Sequence, residues 1–384
     1  MKRLEATLEL SKLLSVTYNN VDELQQIVQD DSSWEDIIKV ANRYILVPAL
    51  YASLKRKNLL ILIKDEQLIE YMKEIYTLNT QRNKAILKQL HELCALLSKI
   101  EVKPILLKGS AALSEAHYDT IGERAMMDID ILVPEDKVFE CVNFLKQNDE
   151  YKEIEEGAEL SPRWHHYNRL YKDKGMTSVE IHRYPLHAQE IKYFPKELGK
   201  DFIQQSKSID NASVIQPLYE LYHSFLHSQI SHDYHKSKFL ALRHLHHFTI
   251  MATQYKTIEW NELSQLIKEK NLSKIWEEYL FIIQTIFKIQ MPIQIKKSKS
   301  KAKYLQQVYK RVDMTGSKQL LLKVFINRVL SAFSYEKLCY RYNFTNKFLL
   351  FIYIPRRIIH LLYIYITKPK KIRFLINIVR MTSN

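Results

Sequence analysis

The chain has 384 residues, of which 46 % are hydrophobic and 26 % are charged, and its formal net charge is +14. This composition is typical of a soluble globular protein, and counts of only 6 Gly and 10 Pro argue against repeat-rich β architecture. The 3 Cys are far apart, so they indicate neither a disulfide framework nor a cysteine zinc site, and we expect a cytoplasmic protein. Glu5 and Glu9 interrupt the N-terminal apolar stretch, which therefore does not predict a signal peptide.

The first 100 residues predict a helical region. Residues 4–60 contain short stretches with apolar side chains at helical spacing, and a longer helix is predicted from about Asp65 to Lys99. The apolar stripe of that helix consists of Ile86, Leu87, Leu90, Leu93, Cys94 and Leu97. A stripe of this kind indicates a helix face that packs against a core.

A short strand that ends in a glycine turn follows. Residues 103–107 are mostly aliphatic and predict a strand, and Lys108-Gly109-Ser110 comes directly after it. Gly109 permits backbone conformations and close approaches that a Cβ would block, so the neighbouring N–H groups can face an anion. Residues 111–116 favour a helix, which places Ser110 near a helix N-terminus, where it either binds an anion or acts as a plain helix cap. We therefore expect an anion-binding turn.

Two aspartates follow on the next predicted strand, residues 126–133. Side chains alternate along a strand, so Asp128 and Asp130 share one face while the isoleucines between and after them point toward a core. Glu180 lies on another alternating strand, residues 177–183, and is expected to join them. Adjacent carboxylates repel each other, and a hard cation with oxygen ligands removes that cost. We expect Mg²⁺, as one ion or two, with Mn²⁺ as the alternative.

These elements, in this order, resemble the nucleotidyltransferase superfamily that includes DNA polymerase beta, in particular its bacterial branch of uncharacterised nucleotidyltransferases. The matching segments are Ile105–Ser110, Arg124, Asp128–Val133, His165-His166 and Glu180-Ile181-His182. The motifs cover roughly residues 85–190. The resemblance implies a catalytic and metal-binding group of Asp128, Asp130 and Glu180, in which Glu180 either binds metal or acts as a general base. It implies a nucleotide-binding group of Lys108, Gly109, Ser110, Arg124, His166 and His182.

Each of these assignments has a structural alternative. Lys108 and Arg124 could instead form salt bridges to Glu115 or Glu123, and the sheet histidines could be structural. The histidines between residues 223 and 247 could bind zinc, since His223 and His227 are four residues apart. That stretch has no His-Glu-x-x-His motif, so core packing or contact with a substrate is the favoured interpretation.

The elements together predict an α+β fold that is mostly helical, with a small mixed sheet of four or five strands. We expect an N-terminal helical region (1–100), a nucleotidyltransferase core (101–215), a helical domain (216–295) and a basic amphipathic C-terminal region (296–384). Residues 296–303 are predicted to be an exposed linker, residues 318–333 an amphipathic stretch, and residues 153–157 a polar loop.

The C-terminal region carries the net positive charge of the chain, with 20 Lys and Arg against two acidic residues from Lys296 onward, whereas residues 1–295 have a slight acidic excess. Two apolar runs within residues 347–380 are divided by Pro355, and neither reaches the ~20 residues that a membrane-spanning helix needs. One interpretation is a segment that binds peripherally to the inner face of the membrane, beside anionic lipid. The other is a helical hairpin packed on the domain.

The resemblance implies a magnesium-dependent enzyme that moves a nucleoside monophosphate group from a nucleoside triphosphate, ATP among them, to an acceptor and releases pyrophosphate. The acceptor could be a sugar phosphate, another metabolite, a peptide or a protein. Two other classes remain open. One is an inert binding or scaffold protein that keeps the nucleotide fold, and the other is an RNA-directed transferase that uses the basic tail, although nucleic acid is the less favoured partner because no aromatic platform for bases is evident.

Overall fold

A mixed β-sheet carries the aspartate and glutamate motifs at its centre. In the computed structural model, the described residues are 2–154, 165–194, 207–254, 260–293, 295–314 and 346–367, with isolated positions 333, 335, 338 and 342. Within these residues the sheet has seven strands in the order β3-β4-β5-β2-β1-β7-β6. The strands are β1 (Ile105–Leu106), β2 (Asp128–Leu132), β3 (Lys152–Glu153), β4 (Leu170–Tyr171), β5 (Ser178–His182), β6 (Lys207–Ile209) and β7 (Ala212–Val214).

The central pair of strands is parallel, and its register decides which side chains share a face. β2 pairs with β5 so that Asp130 lies opposite Glu180 and Ile131 opposite Ile181. β1 pairs with β2 antiparallel and with β7 parallel, while the outer pairs are antiparallel, which makes the sheet mixed. Because side chains alternate, the odd-numbered aliphatic residues of both central strands lie on the opposite face from the acidic ones. Ile129, Ile131, Val179 and Ile181 are fully buried there.

Helices account for most of the remaining chain. In order they are α1 (Arg3–Leu14), α2 (Val21–Gln29), α3 (Trp34–Arg43), α4 (Val47–Arg56), α5 (Glu66–Ser98), α6 (Lys108–Ser114), α7 (Val138–Asn148), α8 (Pro217–Leu226), α9 (Tyr234–Ser237), α10 (Leu242–Gln254), α11 (Trp260–Glu269), α12 (Ser273–Phe287), α13 (Lys299–Asp313) and α14 (Leu350–Thr367). A π-helical turn, His227–Ser231, extends α8. The mostly helical α+β fold expected from the sequence is confirmed.

The long helix α5 covers the aliphatic face of the sheet. It begins where the Asp65 side chain accepts a hydrogen bond from the Leu68 amide N–H at 3.0 Å, which satisfies one of the donors exposed at a helix start. Its stripe residues, such as Leu90 and Leu93, pack in one core with the buried residues of β2, β5 and α7. The predicted helix from Asp65 to Lys99 is confirmed within a residue at each end.

The chain divides into two compact units, residues 1–308 and 309–384, and the sheet and helices α1–α12 belong to the first. The finer boundaries expected at residues 100, 215 and 295 stay predictions. In the second unit, α14 runs without interruption through Pro355, so the proline does not divide the apolar segment into two as expected. Among the described residues, no helix combines the length and the apolar character that crossing a membrane requires.

Four other expectations need correction or lie outside the described residues. The sheet has more strands than the four or five expected, because the short strands β3, β6 and β7 were not anticipated. Glu153 belongs to β3 rather than to a loop. The basic run at 296–303 is only partly a linker, since α13 starts at Lys299 and Lys301 is buried. The stretch at 155–164, most of 318–333 and the basic residues after 367 lie outside the described residues.

Candidate active site

Three carboxylates lie together on the polar face of β2 and β5. The parallel register places Asp130 directly opposite Glu180, and Asp128 is two residues before Asp130 on the same strand face. Asp130 and Glu180 are buried and Asp128 is half-buried. The structure therefore brings together the three acidic residues that the sequence predicted to share a face.

Asp130 is at the centre of the polar contacts. Its Oδ1 accepts a hydrogen bond from Lys108 Nζ at 2.6 Å and lies 2.9 Å from His182 Nε2. Its backbone amide donates to Ser110 Oγ at 3.0 Å, which ties the strand to the first turn of α6. His182 Nε2 is also 3.5 Å from Glu180 Oε2. Two cationic partners thus hold the most buried carboxylate in place.

Arg169 bridges the other two carboxylates. It precedes β4, and its Nε donates to Glu180 Oε1 at 2.5 Å while one terminal nitrogen lies 3.8 Å from Asp128 Oδ2. Sequence reasoning missed this residue, because nothing in the local sequence shows that the segment before β4 lies beside β5. An arginine in this position neutralises part of the charge that the three carboxylates concentrate.

The carboxylates have different proton affinities because their partners differ. The pKa of Asp128 is raised to about 6, first by burial and then by the nearby charges of Asp130 and Glu180, which together outweigh its cationic neighbours. Burial would also raise the pKa of Asp130, but Lys108 and His182 hold it well below the ordinary value. The pKa of Glu180 is lowered to about 2, because the hydrogen bond from His182 and nearby cations outweigh burial. The same carboxylates raise the pKa of His182, which favours the imidazolium.

The glycine turn lies at the start of α6. Lys108 has φ of 52°, a left-handed conformation that is strained for a residue with a side chain. An added Cβ on Gly109 would lie 3.1 Å from Met126 Cγ and 3.5 Å from Arg124 Nε, so a glycine is needed for this close approach. Lys108 and Gly109 line the cavity described below, whereas Ser110 is fully buried and does not. Its Oγ instead serves the Asp130 amide N–H.

Polar side chains of α5 fix the loops that lead into the two central strands. Asn83 donates to the carbonyls of Ile121 and Arg124, at 2.6 and 2.7 Å. Gln89 accepts from the Met176 amide N–H at 2.8 Å and donates to the Thr177 carbonyl at 3.0 Å. Asn83 and Gln89 are buried and supply hydrogen bonds to backbone groups that the sheet does not pair. Helix α5 therefore positions both the aspartate strand and the glutamate strand.

A cavity of about 450 Å³ opens on the carboxylate face. One wall is formed by the carboxylates, Lys108, Gly109 and Arg169, and the opposite wall comes from α8, the π-helical turn and α10. The histidines of that helical wall are His223, His227, His232, His244 and His247. The volume lies within the range of small-molecule binding sites, roughly 300–1,000 Å³. The site is thus an enclosed space between the sheet and the helical region.

The histidines around the cavity are held neutral. Burial lowers the pKa of His223 and of His232 to about 4, and it lowers the pKa values of His227, His244 and His247 well below the ordinary value. Five of the seven histidines at positions 223–247 line this cavity, while His235 contacts Glu278 and His246 is packed in the core. This placement agrees with the substrate-facing interpretation for the five.

The predicted nucleotide-binding residues do not all reach the cavity. His166 lines it and its Nε2 lies 3.9 Å from Glu180 Oε2, and burial lowers its pKa. His182 is fully buried behind the carboxylates. Arg124 lines the cavity and forms no ion pair with Glu115 or Glu123 in the described part of the chain. Glu123 instead accepts from Arg56. Sequence reasoning also missed Arg243, a cavity residue in α10.

The acidic residues of the site form a donor set suited to a divalent ion. Among the described residues, one group with ligand atoms all within 4.8 Å is Asp130, Glu180 and His182. Another is Glu115, His117 and Glu220. Within the part of the chain that the structure describes, the helical histidines form no such group, so their geometry does not support the zinc alternative. Oxygen donors on β2 and β5 suit Mg²⁺ or Mn²⁺, and Asp128 on the same face can add a further carboxylate. The residues therefore fit the expected ion.

Comparison with known proteins gives one match. The family described as uncharacterised nucleotidyltransferase matches residues 30–288, a range that contains all the carboxylate and cavity residues named above. No curated protein and no solved structure matches the chain. The match extends over more than half of the sequence, and it agrees with the resemblance carried by the glycine turn and the aspartate strand. The chain belongs to this family of uncharacterised nucleotidyltransferases.

Proposed function

We propose that this protein transfers a nucleoside monophosphate group from a nucleoside triphosphate to an acceptor hydroxyl or phosphate and releases pyrophosphate. Family membership supports nucleotidyl transfer as the general activity. The observation that carries the specific proposal is the register of β2 and β5, which gathers Asp128, Asp130 and Glu180 on one face beside the cavity. No structural need of the fold accounts for three carboxylates in one place, since the opposite face of the same strands supplies the core.

We assign the metal-binding role to these three carboxylates. Mg²⁺ bound there, as one ion or two, would polarise the phosphoryl oxygens and stabilise the entering and leaving oxygens. His182 and Lys108, which contact Asp130 at 2.9 and 2.6 Å, orient that carboxylate toward the cavity. Mn²⁺ satisfies the same donor set.

The residues of the chain then have separate tasks in the reaction. The acceptor oxygen attacks the α-phosphorus in line. The bond between the α-phosphorus and the oxygen that bridges it to the β-phosphate breaks, and pyrophosphate leaves with the electron pair of that bond. The proton of the acceptor hydroxyl passes to a carboxylate of the same face. Lys108 and Arg169 lie on the cavity wall and supply positive charge to the phosphate oxygens. The backbone at Gly109 admits a phosphate where a side chain would not fit.

The acceptor binds in the remaining part of the cavity, beside the neutral histidines. Neutral imidazoles offer both a donor and an acceptor of hydrogen bonds, which suits hydroxyl-bearing molecules. A sugar phosphate, another metabolite, a peptide or a protein side chain satisfies this requirement, and ATP is one of the candidate donors.

The test uses each α-labelled nucleoside triphosphate with a cell extract and Mg²⁺. Label should pass to an acceptor with the wild-type protein and should be lost with EDTA. Asp128→Asn and Asp130→Asn should each lose activity by about 1,000-fold or more, because the metal-binding carboxylates act in the transition state. Arg56→Gln is the matched control, since Arg56 lies outside the cavity and pairs with Asp119 and Glu123. Full activity in either Asn variant refutes the assignment, and failure of the wild type to bind any triphosphate favours an inert scaffold.

A second proposal concerns the C-terminal region, residues 347–380. Helix α14 and the turn before it expose Phe348, Phe351, Ile352 and Ile359, which recur at helical spacing, and Phe351 is 82 % exposed. Arg356 lies in the same helix, and further lysines follow in the sequence. An apolar face with a basic flank suits an anionic lipid surface. The wild-type protein should float with phosphatidylglycerol liposomes, and Phe351→Glu should weaken this. Binding to RNA with a steep salt dependence, and not to liposomes, would instead favour the RNA-directed transferase.

A further inference from the structure

Two arginines line the cavity from distant parts of the chain. Arg124 lies in the loop that enters β2, and Arg243 lies in the first turn of α10, in the helical region. Burial lowers the pKa of Arg243, and Arg124 is close enough in space for its positive charge to lower that pKa further. An arginine keeps its charge in proteins, so two positive charges face the same enclosed space.

Neither arginine has an acidic partner among the residues that the structure describes. Within the described part of the chain no carboxylate lies within 4.0 Å of either guanidinium. Arg124 donates one hydrogen bond, to Tyr118 Oη at 3.2 Å, and its guanidinium lies over the Tyr118 ring. Arg243 makes no hydrogen bond to any described residue. Arg124 Nε and Arg243 Nη1 are buried N–H groups without a hydrogen-bond partner among the described residues.

The other two cations of the cavity are arranged differently. Lys108 contacts Asp130 at 2.6 Å and Arg169 contacts Glu180 at 2.5 Å, so their charges are compensated within the protein. A buried donor without a partner is costly, more so when it is charged, and two like charges in one enclosure repel each other. A bound anion would remove both costs. Because Lys108 and Arg169 have carboxylate partners and these two arginines do not, Arg124 and Arg243 are the cations available to bind an anionic ligand.

Their position indicates which anion. Arg124 Nε lies 3.5 Å from the place where a Cβ on Gly109 would be, so the arginine borders the glycine turn. Neither arginine forms an ion pair with the carboxylates, where the α-phosphate must react. A triphosphate carries more negative charge than one magnesium ion neutralises. The planar guanidinium also matches phosphate oxygens with paired hydrogen bonds.

We propose that Arg124 and Arg243 bind the β- and γ-phosphates of the nucleoside triphosphate. This inference rests on the proposed function and adds to it a residue from the helical region. Arg243 then contacts the part of the substrate that leaves as pyrophosphate. The nucleotide site is accordingly built from both the sheet and α10, rather than from the motif-bearing segment alone.

The test measures binding by calorimetry with Arg243→Gln in the full-length protein. The probes are the α,β-methylene triphosphate of whichever base the wild type binds most tightly, the matching monophosphate, and pyrophosphate, each with Mg²⁺. Loss of two charge-assisted hydrogen bonds should weaken binding of the triphosphate and of pyrophosphate by about 10–100-fold. Binding of the monophosphate should change by less than about 3-fold, since it lacks the phosphates in question. Arg243→Lys keeps the charge and should show a smaller loss.

A stability measurement separates this role from a structural one. Arg243→Gln should keep or raise the thermal stability of the ligand-free protein, because a desolvated charge without a partner is removed. Arg56→Gln is the matched control. It removes a guanidinium paired at 2.5 Å with Asp119 and at 3.2 Å with the buried Glu123, so it should lower stability and leave nucleotide affinity unchanged.

Each result leads to a different decision. If the wild type binds no triphosphate, the proposed function fails and this inference fails with it. If the wild type binds triphosphate and Arg243→Gln binds it equally well, the inference alone is wrong. An equal loss for monophosphate and triphosphate would place Arg243 at the α-phosphate or the nucleoside and would overturn the assignment to the distal phosphates.

Discussion

Asp128→Asn should stabilise the metal-free protein while it abolishes activity. In the wild type the pKa of Asp128 is raised to about 6, first by burial and then by the charges of Asp130 and Glu180. An aspartate in an unfolded chain has a pKa of about 3.9. The unfolded state therefore releases this proton more readily, and the ionised side chain opposes folding. The penalty is absent below pH 4, grows between pH 4 and 6, and is complete above pH 6.

The size of the effect follows from the difference of about 2 pH units. At about 1.4 kcal/mol per unit, ionised Asp128 costs up to about 3 kcal/mol at pH 7.5. Replacement by asparagine removes that net cost, in which the favourable charge of Arg169, 3.8 Å from Asp128 Oδ2, is already included. The gain should be about 2–3 kcal/mol, which for a chain of 384 residues corresponds to a rise in Tm of about 2–4 °C.

The assay is thermal unfolding in EDTA at several pH values, with Asp130→Asn as the matched variant. The pKa of Asp130 is held below the ordinary value, so its charge favours folding above pH 4, and Asp130→Asn should lower Tm at pH 7.5. The gain for Asp128→Asn should shrink toward zero as the pH falls to about 4. Mg²⁺ should raise the Tm of the wild type more than that of either variant. A lower Tm for Asp128→Asn in EDTA at pH 7.5 would refute the reasoning.

Three further outcomes follow from the site. Lys108→Gly should be about 1 kcal/mol more stable than Lys108→Ala, because glycine relieves the backbone strain at a φ of 52°. Both variants should lose triphosphate affinity in calorimetry. Equal stabilities of the two variants would show that the backbone at this position is not strained. Gly109→Ala should lower the free energy of unfolding by about 1–2 kcal/mol and weaken triphosphate binding, because the added Cβ would lie 3.1 Å from Met126 Cγ. An unchanged Tm and affinity would show that the neighbouring side chains move aside. The pKa of buried His223 is about 4, against an ordinary value of 6.5, so about 3 kcal/mol of folding stability is present above pH 6.5 and is lost as the pH falls to 4. In guanidinium unfolding, the stability of His223→Gln should therefore depend less steeply on pH than that of the wild type. An identical pH dependence would argue against this effect of His223.

The central strands could be predicted because each carries its own signal. In residues 128–131 and in Ser178–His182, acidic or polar side chains alternate with fully buried aliphatic ones, so the sequence indicated which face each of these residues occupies. The long helix α5 was equally legible, since its apolar stripe repeats over many turns. Periodicity of this kind needs several residues to become visible.

The short strands lacked that length. β6 and β7 are three residues each and are joined by a tight turn in which Asp210 has a positive φ. The Asp-Asn pair at the turn was a hairpin signal that could have been used. β3 has only two residues, and its pairing with β4 is decided by the sheet rather than by its own sequence.

The cavity wall could not be predicted for a different reason. Arg169, Arg243 and the helical histidines come to the same cavity as the carboxylates through long-range packing. No local sequence pattern shows which distant segments meet in the fold. The sequence showed that His223 and His227 share a helix face, but only the structure shows which side of the helix meets the sheet. The roles assigned to Lys108, Arg124 and the acidic residues stay predictions until the variants are measured.

The pairing of Asp130 with Glu180 and of Ile131 with Ile181 has a consequence for how this protein tolerates change. An insertion of one residue within either strand would move its carboxylate side chain to the hydrophobic core and an aliphatic side chain to the cavity. Such a chain would be poorly folded as well as inactive, so proteolysis would clear it. Such an insertion should therefore lower the abundance of the protein in the cell, and inactive protein should not accumulate.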